Sequence, residues 1–258
     1  EMGVDAIHDF MKPLGFGQIT GIDLPGEVRG VLPSTEWKRN YYKKPEQKKW
    51  FGGETISLGI GQGYNAFTMV QLASATATIA SGGRQFAPRV VRATQDALTH
   101  SQVATTTTEP LDLRYAPEHI AVVRNGLVGV VPSGTSAQVF AGAGYQSAGK
   151  TGTAQAVTIG QKDKYNAAKL AEYQRDHALY MAYAPVDAPK IALAVVVENA
   201  GFGAASAAPI ARRVFDYWLL GQYPSEEDIA ATQKGQSGRP IGTPRSKKDV
   251  PLESRRLN

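Results

Sequence analysis

The sequence predicts an α+β fold, and three local patterns support this prediction. Apolar residues at helical spacing indicate helices near residues 68–80, 117–131 and 209–220. A continuous apolar run from Ile191 to Val197 is typical of a strand that is covered on both faces. His177 to Ala184 is a second apolar segment, and the five-residue connection between the two is short enough for a hairpin. We therefore expect antiparallel strands that pack against helices.

Composition and charge exclude several classes of function. The chain has 258 residues, no cysteine and a formal net charge of +5. The absence of cysteine excludes disulfides and thiolate metal sites. From Lys234 to Asn258 there are seven basic and two acidic residues, which account for the whole net charge. Because this charge lies in a polar tail and the rest of the chain is balanced, we expect no nucleic-acid partner.

The N-terminal part should begin with a short helix, followed by an irregular glycine-rich run up to residue 33 in which Pro25-Gly26 forms a turn. The segment from Trp37 to Trp50 then combines aromatic residues with six basic residues. Such a mixture is found on nucleic-acid-binding surfaces. A solvated loop whose lysine stems lie along the surface is the simpler interpretation.

Two of the predicted helices have recognisable ends. Thr68 and Gln71 have the spacing of a capping box, and Gly82-Gly83 would end the helix that follows. Pro117 suits the first turn of the next helix. In the last helix, the residues expected to face the core are Ile210, Val214, Tyr217 and Trp218.

Composition changes after Gly221. Residues 222–258 are polar and rich in proline, glycine, serine and charge. Such a segment buries too little apolar surface to offset the entropy lost on ordering. We therefore expect residues 1–221 to be folded and residues 222–258 to form a disordered basic tail that contributes nothing to the site.

The nine residues from Ser147 to Gln155 match three motifs at once. Gly144 to Thr151 has the spacing of a phosphate-binding P-loop, Ser147 to Lys150 is S-x-x-K, and Lys150 to Gly152 is K-T-G. A P-loop must open a helix. Glycine and β-branched residues follow instead and favour a strand, so the P-loop interpretation fails on context.

The S-x-x-K interpretation also fails, because a nucleophile and its lysine must share one helical face. On a strand, Ser147 and Lys150 would point to opposite faces. The K-T-G interpretation requires only a strand. It supplies a cation in Lys150, a hydroxyl for a substrate carboxylate in Thr151, and close backbone approach at Gly152. The edge of such a strand can pair with a peptide, and the Thr153 N–H can face a developing oxyanion.

Several segments along the chain have distinctive sequences. They are Thr20 to Glu27, Ile60 to Gly63 with Thr68 and Gln71 to Ala73, Lys150 to Gln155, Asp176-His177, Tyr183 to Pro185 and Glu198-Asn199. Together these segments resemble the class B penicillin-binding proteins, and some are typical of the elongation-specific branch of that family. The resemblance covers about residues 1 to 221.

The resemblance implies an antiparallel sheet flanked by helices on both faces, of which this chain supplies three strands and the C-terminal helix. It implies D,D-transpeptidation of peptidoglycan stem peptides through a serine acyl-enzyme that β-lactam antibiotics also form. Lys150 and Thr153 would have catalytic roles, and Thr151, Gly152 and Thr153 would bind substrate. No metal or organic cofactor is implied. The family's N-terminal membrane anchor implies an inner-membrane protein with a periplasmic catalytic domain and a membrane glycosyltransferase partner.

One departure from the family pattern is important. The nucleophilic S-x-x-K and the S-x-N motif should precede Glu1, so this chain by itself should be inactive. The open alternatives are a D,D-carboxypeptidase or β-lactamase on the same fold, a non-catalytic peptide-binding module, and a P-loop NTPase.

Asp176-His177 is either an acid/base pair or, more simply, the start of a strand with a structural histidine hydrogen bond.

Overall fold

A computed structural model describes residues 2–156, 170–236, 238–246 and 248–250. The chain divides into two compact units, Glu1–Pro117 and Glu118–Asn258. Within the described ranges, no helix combines the length and the apolar character needed to cross a membrane.

The first unit consists of helices and short strands around a small apolar core. Its helices are α1 (Val4–Met11), α2 (Thr35–Tyr41), α3 (Pro45–Lys48), α4 (Gly52–Gly59) and α5 (Met69–Ala80), and its strands are β1 (Arg84–Gln85), β2 (Ala93–Gln95), β3 (Gln102–Ala104) and β4 (Leu111–Asp112). Strand β1 pairs with β4, and β2 pairs with β3, both antiparallel. The core contains Leu14, Phe16, Leu32 and Ala75.

The predicted capping box starts α5. The Thr68 hydroxyl accepts a hydrogen bond from the Gln71 N–H at 3.2 Å, and the Gln71 side chain accepts one from the Thr68 N–H at 3.0 Å. Two orphan amides of the first helical turn are thereby satisfied. The prediction of this helix and of its start is confirmed.

The expectation of a solvated loop from Trp37 to Trp50 is wrong at α2. Lys38 is only 3% exposed and forms an ion pair with Glu54 of α4. Its ammonium group also donates to the Lys49 carbonyl at 2.8 Å and lies 5.5 Å from the Trp50 ring centroid. A buried lysine requires such a counter-charge. Local composition could not predict this burial, because the partner Glu54 lies sixteen positions away along the chain.

The second unit contains the main sheet. Its elements are α6 (Pro117–Gly129), which starts at the unit boundary, α7 (Ala137–Phe140), β5 (Ala148–Ala154), β6 (His177–Ala184), β7 (Ile191–Val197), α8 (Gly203–Leu220), β8 (Gln222–Tyr223), α9 (Glu226–Gln233) and β9 (Arg245–Ser246). Strands β5, β6 and β7 form an antiparallel sheet in that order. The predicted hairpin between β6 and β7 is confirmed, as is the α+β class.

Helix α8 packs on one face of this sheet. Its buried residues include Ala207, Ala208, Ala211 and Phe215, which lie in one core with the β6 residues Ala178, Tyr180 and Ala182. On the other face, the Arg124 guanidinium of α6 donates to the Tyr183 hydroxyl at 3.3 Å and to the Val186 carbonyl at 2.8 Å.

The predicted core face of α8 is wrong. The four large residues expected to be buried are 38–62% exposed, and the helix buries its alanine-rich side instead. Small side chains let the helix approach the strands closely, so size rather than hydrophobicity selects the face. The helix also begins at Gly203, before the predicted start at residue 209.

The expectation of disorder is wrong for much of residues 222–246. Strands β8 and β9 pair, and Ser225 caps α9 by accepting from the Asp228 N–H at 3.0 Å. Asp228 is 1% exposed and accepts two hydrogen bonds from Arg213 of α8, at 2.6 and 2.9 Å. A cap and an ion pair order this segment where apolar burial alone would not. Residues 251–258 lie outside the described residues.

Candidate functional site

The K-T-G residues lie in β5, the outer strand of the β5-β6-β7 sheet in the described part of the chain. Lys150, Thr151 and Gly152 are paired across the sheet with Met181, Tyr180 and Leu179. The predicted strand is confirmed as far as Ala154, whereas its predicted continuation over residues 157–159 lies outside the described residues. Because no helix opens at Thr151, the P-loop interpretation is wrong.

Alternation along β5 sorts these side chains between two faces. Lys150, Gly152 and Ala154 share the face that points away from α8, and Thr151 and Thr153 share the other. Lys150 is exposed, and its ammonium group donates to the Thr151 carbonyl at 2.8 Å. The first face therefore has a cation at Lys150, followed by two positions with almost no side chain.

Ser147 precedes this strand and is 2% exposed, whereas Lys150 is exposed. The two side chains differ in environment and in face, as expected for an extended segment. Because Lys150 lies in a strand, this segment differs from a nucleophile and its base on one helical face.

Two hydroxyl groups near α7 contact the sheet beside the K-T-G residues, and neither was predicted. The Thr135 hydroxyl lies 2.9 Å from the Thr151 hydroxyl, and the Tyr180 hydroxyl donates to the Ser136 hydroxyl at 3.1 Å. Burial raises the pKa of Tyr180 to about 12, so this phenol stays a neutral donor. In the sequence, only the two adjacent hydroxyl-bearing residues Thr135 and Ser136 hint at these contacts.

Two glycines, Gly203 and Gly149, allow unusually close packing around β5. A Cβ atom at Gly203 would lie 2.1 Å from the Leu179 carbonyl oxygen and 2.7 Å from that of Gly152. A Cβ at Gly149 would lie 2.5 Å from the Tyr180 hydroxyl. The first turn of α8 therefore lies directly against the backbone of β5 and β6, which fixes the position of the K-T-G strand.

His177 begins β6 opposite Ala154 and so shares the face of Lys150. Its Nδ1 accepts a hydrogen bond from the Asn199 N–H at 3.0 Å. Asn199 has a left-handed backbone with φ of 58°. The structural histidine hydrogen bond is thereby confirmed. The main-chain oxygen of Asp176 accepts from the Gly201 N–H at 2.9 Å, which ties the start of β6 to the loop after β7.

An antiparallel sheet with a K-T-G outer strand, backed by a long C-terminal helix, defines the class of penicillin-recognising proteins. Residues 1–216 match the penicillin-binding protein transpeptidase domain. The chain belongs to this family.

Relatives and solved structures agree with this assignment. The chain is 43% identical over 230 residues to the peptidoglycan D,D-transpeptidase MrdA of Acinetobacter baumannii, a match that covers 85% of the chain and 32% of the relative. It resembles penicillin-binding protein 2 of Pseudomonas aeruginosa, solved in complex with WCK 5153, with a TM-score of 0.68 and 36% identity over 84% of this chain and 44% of that one.

A second structure is the complex of penicillin-binding protein 2 with MreC from Helicobacter pylori, with a TM-score of 0.66 and 25% identity. That match covers 85% of this chain and 37% of the other. The chain spans about a third of the length of the curated relatives that it matches.

Proposed function

We propose that this chain forms the substrate-binding sheet of a peptidoglycan D,D-transpeptidase that acts in cell elongation and shape. The observation that carries this proposal is the geometry of β5. It is an outer strand on which Lys150 is exposed, Gly152 has no side chain, and both residues share the face opposite α8. A peptide can extend the sheet at such an edge through main-chain hydrogen bonds.

In this proposal the substrate is a stem peptide that ends in D-Ala-D-Ala. Lys150 attracts the terminal carboxylate by its charge, and the Thr151 hydroxyl donates a hydrogen bond to it. Gly152 lets the peptide backbone approach the strand, and the Thr153 amide donates to the oxygen of the attacked carbonyl. Donors placed where negative charge develops stabilise the transition state, and one such donor is worth about a hundredfold or more in rate.

The nucleophilic serine belongs to an S-x-x-K motif that lies upstream of Glu1. Its oxygen attacks the carbonyl of the penultimate D-Ala, the bond to the last D-Ala breaks, and that residue leaves with a proton. An amine from a neighbouring stem peptide then takes the acyl group and restores the serine. β-Lactam antibiotics acylate the same serine and bind the same strand.

The cellular setting also belongs to the proposal. The similarity to penicillin-binding protein 2, one structure of which is a complex with MreC, supports a place in the elongation machinery. The catalytic domain would act in the periplasm, attached to the inner membrane by a segment outside this chain. A membrane glycosyltransferase would be its partner through that missing part.

Labelling with a fluorescent penicillin tests the proposal. This chain joined to its upstream transpeptidase portion should become acylated with one label per molecule. The chain by itself should stay unlabelled, because groups that bind the substrate and stabilise an oxyanion cannot replace a nucleophile.

The variant Lys150→Ala of the joined enzyme tests the role of the cation, because it removes the lysine charge and keeps the nucleophilic serine. Its acylation rate should fall by about a hundredfold, consistent with loss of a charge-assisted contact. Stoichiometric labelling of the chain by itself, at Ser147 in particular, would reject the assignment of the nucleophile. An unlabelled joined enzyme would reject the proposed function.

A further inference from the structure

Between His177 and Met181, His177 is the one polar side chain that β6 places on the face shared by Lys150, and Tyr183 on the same face bonds to Arg124 of α6. His177 stands opposite Ala154, and the other β6 residues on that face as far as Met181 are apolar. On β5, the same face has only Gly152 and Ala154 beyond Lys150. Ala154, the β5 residue opposite His177, has only a methyl group as its side chain.

The hydrogen bond to Asn199 fixes the tautomer of this imidazole. A main-chain N–H can only donate, so the Nδ1 of His177 must accept at 3.0 Å through its lone pair. A nitrogen that accepts in this way cannot also hold a proton, and the ring proton lies on Nε2. His177 is therefore held as a donor whose Nε2–H lies at the far side of the ring from its anchor.

A substrate bound as proposed must pass this donor. Ala148 and Gly149 are buried, so the usable edge of β5 runs from Lys150 to Ala154. With its carboxylate at Lys150 and Thr151, a stem peptide has to extend toward Ala154. The four residue-to-residue steps from Lys150 to Ala154 span about 13 Å, which corresponds to three or four residues of an extended peptide.

We infer that His177 is a specificity-determining residue that donates a hydrogen bond from Nε2 to a carboxylate or amide carbonyl of the stem peptide, three or four residues from its C-terminus. This inference rests on the proposed function and adds a subsite to the same strand. It predicts that the enzyme prefers a full stem peptide over a short donor with the same D-Ala-D-Ala end.

Two matched variants separate this role from that of a structural anchor. His177→Asn places an acceptor near the Nδ1 position and so can keep the bond to Asn199, but it has no group near Nε2. His177→Gln places an amide donor near the Nε2 position and cannot keep the anchor in the same way. The experiment uses the enzyme in which this chain is joined to its upstream transpeptidase portion.

The measurement is D-Ala release from a stem pentapeptide and from a short acyl-D-Ala-D-Ala donor, each expressed as kcat/KM. In His177→Asn, the ratio of the two values should fall by about tenfold, as expected when one hydrogen bond to a charged or strongly polar group is lost. In His177→Gln, the ratio should stay within about threefold of the wild type.

Other results would overturn the inference. They are an unchanged ratio in His177→Asn, a ratio that falls equally in both variants, or losses that are the same for both donors. The last pattern would define His177 as an anchor for the loop after β7. Penicillin acylation of the wild-type enzyme is measured first. Its absence would reject the proposed function and this inference together, whereas normal acylation with an unchanged ratio rejects only the inference.

Discussion

At the scale of single residues, the site depends on which groups the alternation of β5 exposes. Lys150 lies on the open face, whereas Thr151 lies on the face of α8, where its hydroxyl is 2.9 Å from that of Thr135. Since β5 is an outer strand, a group on either face can still reach a ligand at its edge. The Thr151 hydroxyl therefore contacts the Thr135 hydroxyl within the protein, and in the proposed function it also binds the substrate carboxylate.

Thr151→Val should lower the second-order rate of penicillin acylation by about tenfold to a hundredfold in the joined enzyme. The substitution keeps the shape of the side chain and removes the hydroxyl. A hydrogen bond to a charged group contributes about 1.5–3 kcal/mol. The measurement is the rate of labelling by a fluorescent penicillin.

The matched control is Thr135→Val, which removes the same hydroxyl–hydroxyl contact but leaves the Thr151 hydroxyl in place. Its acylation rate should stay within about threefold of the wild type. Equal losses in the two variants would mean that the Thr151 hydroxyl acts through Thr135 and does not bind the carboxylate.

The residue types of the site could be predicted from sequence, but their neighbours could not. Lys150, Thr151 and Gly152 form a contiguous motif whose chemistry depends only on strand geometry. Tyr180 and Thr135 reach the motif through pairing and folding over 29 and 16 positions along the chain. No local pattern encodes such contacts, because they arise only when separate elements pack.

At the scale of elements, the contact between α8 and the sheet positions the K-T-G strand. Gly203 places the first turn of α8 against the carbonyls of Leu179 and Gly152. The helix then buries alanines, and it leaves Tyr217 and Trp218 on its outer side. The apolar spacing predicts the helix but indicates its bulky face as the buried one, because a hydrophobic pattern identifies a helix better than it identifies the side that packs most closely on a neighbour.

Gly203→Ala should destabilise the second unit by about 1–3 kcal/mol or more and should slow penicillin acylation of the joined enzyme. The added methyl group would overlap two carbonyl oxygens of the sheet, so the helix or the strand must move. Urea unfolding of the chain measures the first effect, and fluorescent labelling of the joined enzyme measures the second.

Gly126→Ala is the matched control, since Gly126 is an exposed residue of α6 with nothing within 4 Å of an added Cβ. Alanine favours a helix over glycine by about 1 kcal/mol, so this variant should be at least as stable as the wild type. If both variants unfolded at the same urea concentration as the wild type, the close approach at Gly203 would not constrain the sheet.

At the scale of the whole molecule, the fold class and the hairpin of β6 and β7 could be predicted, and the end of the chain could not. The C-terminal part is polar and rich in proline, glycine, serine and charge, and this composition suggested disorder. The described residues there include α9, whose Asp228 binds Arg213 of α8. Composition measures average polarity, whereas one buried ion pair with good geometry can attach a short helix. We propose that the transpeptidase part ends near Gly221 and that α9 is an appendage to it.

Asp228→Ala should release the segment after Gly221 from α8. Removing one partner of a buried ion pair costs about 3–5 kcal/mol, since the remaining charge stays uncompensated. An eight-residue helix such as α9 has little stability without tertiary contacts. Amide hydrogen exchange should therefore accelerate across α9, and limited proteolysis should cut after residue 221, while penicillin acylation of the joined enzyme stays unchanged.

Glu226→Ala is the control, because Glu226 pairs with Arg245 at the surface with 77% of its side chain exposed, and such pairs contribute about 0–1 kcal/mol. Wild-type protection of α9 in Asp228→Ala would show that other contacts hold the segment, and lost acylation would show that it supports the site.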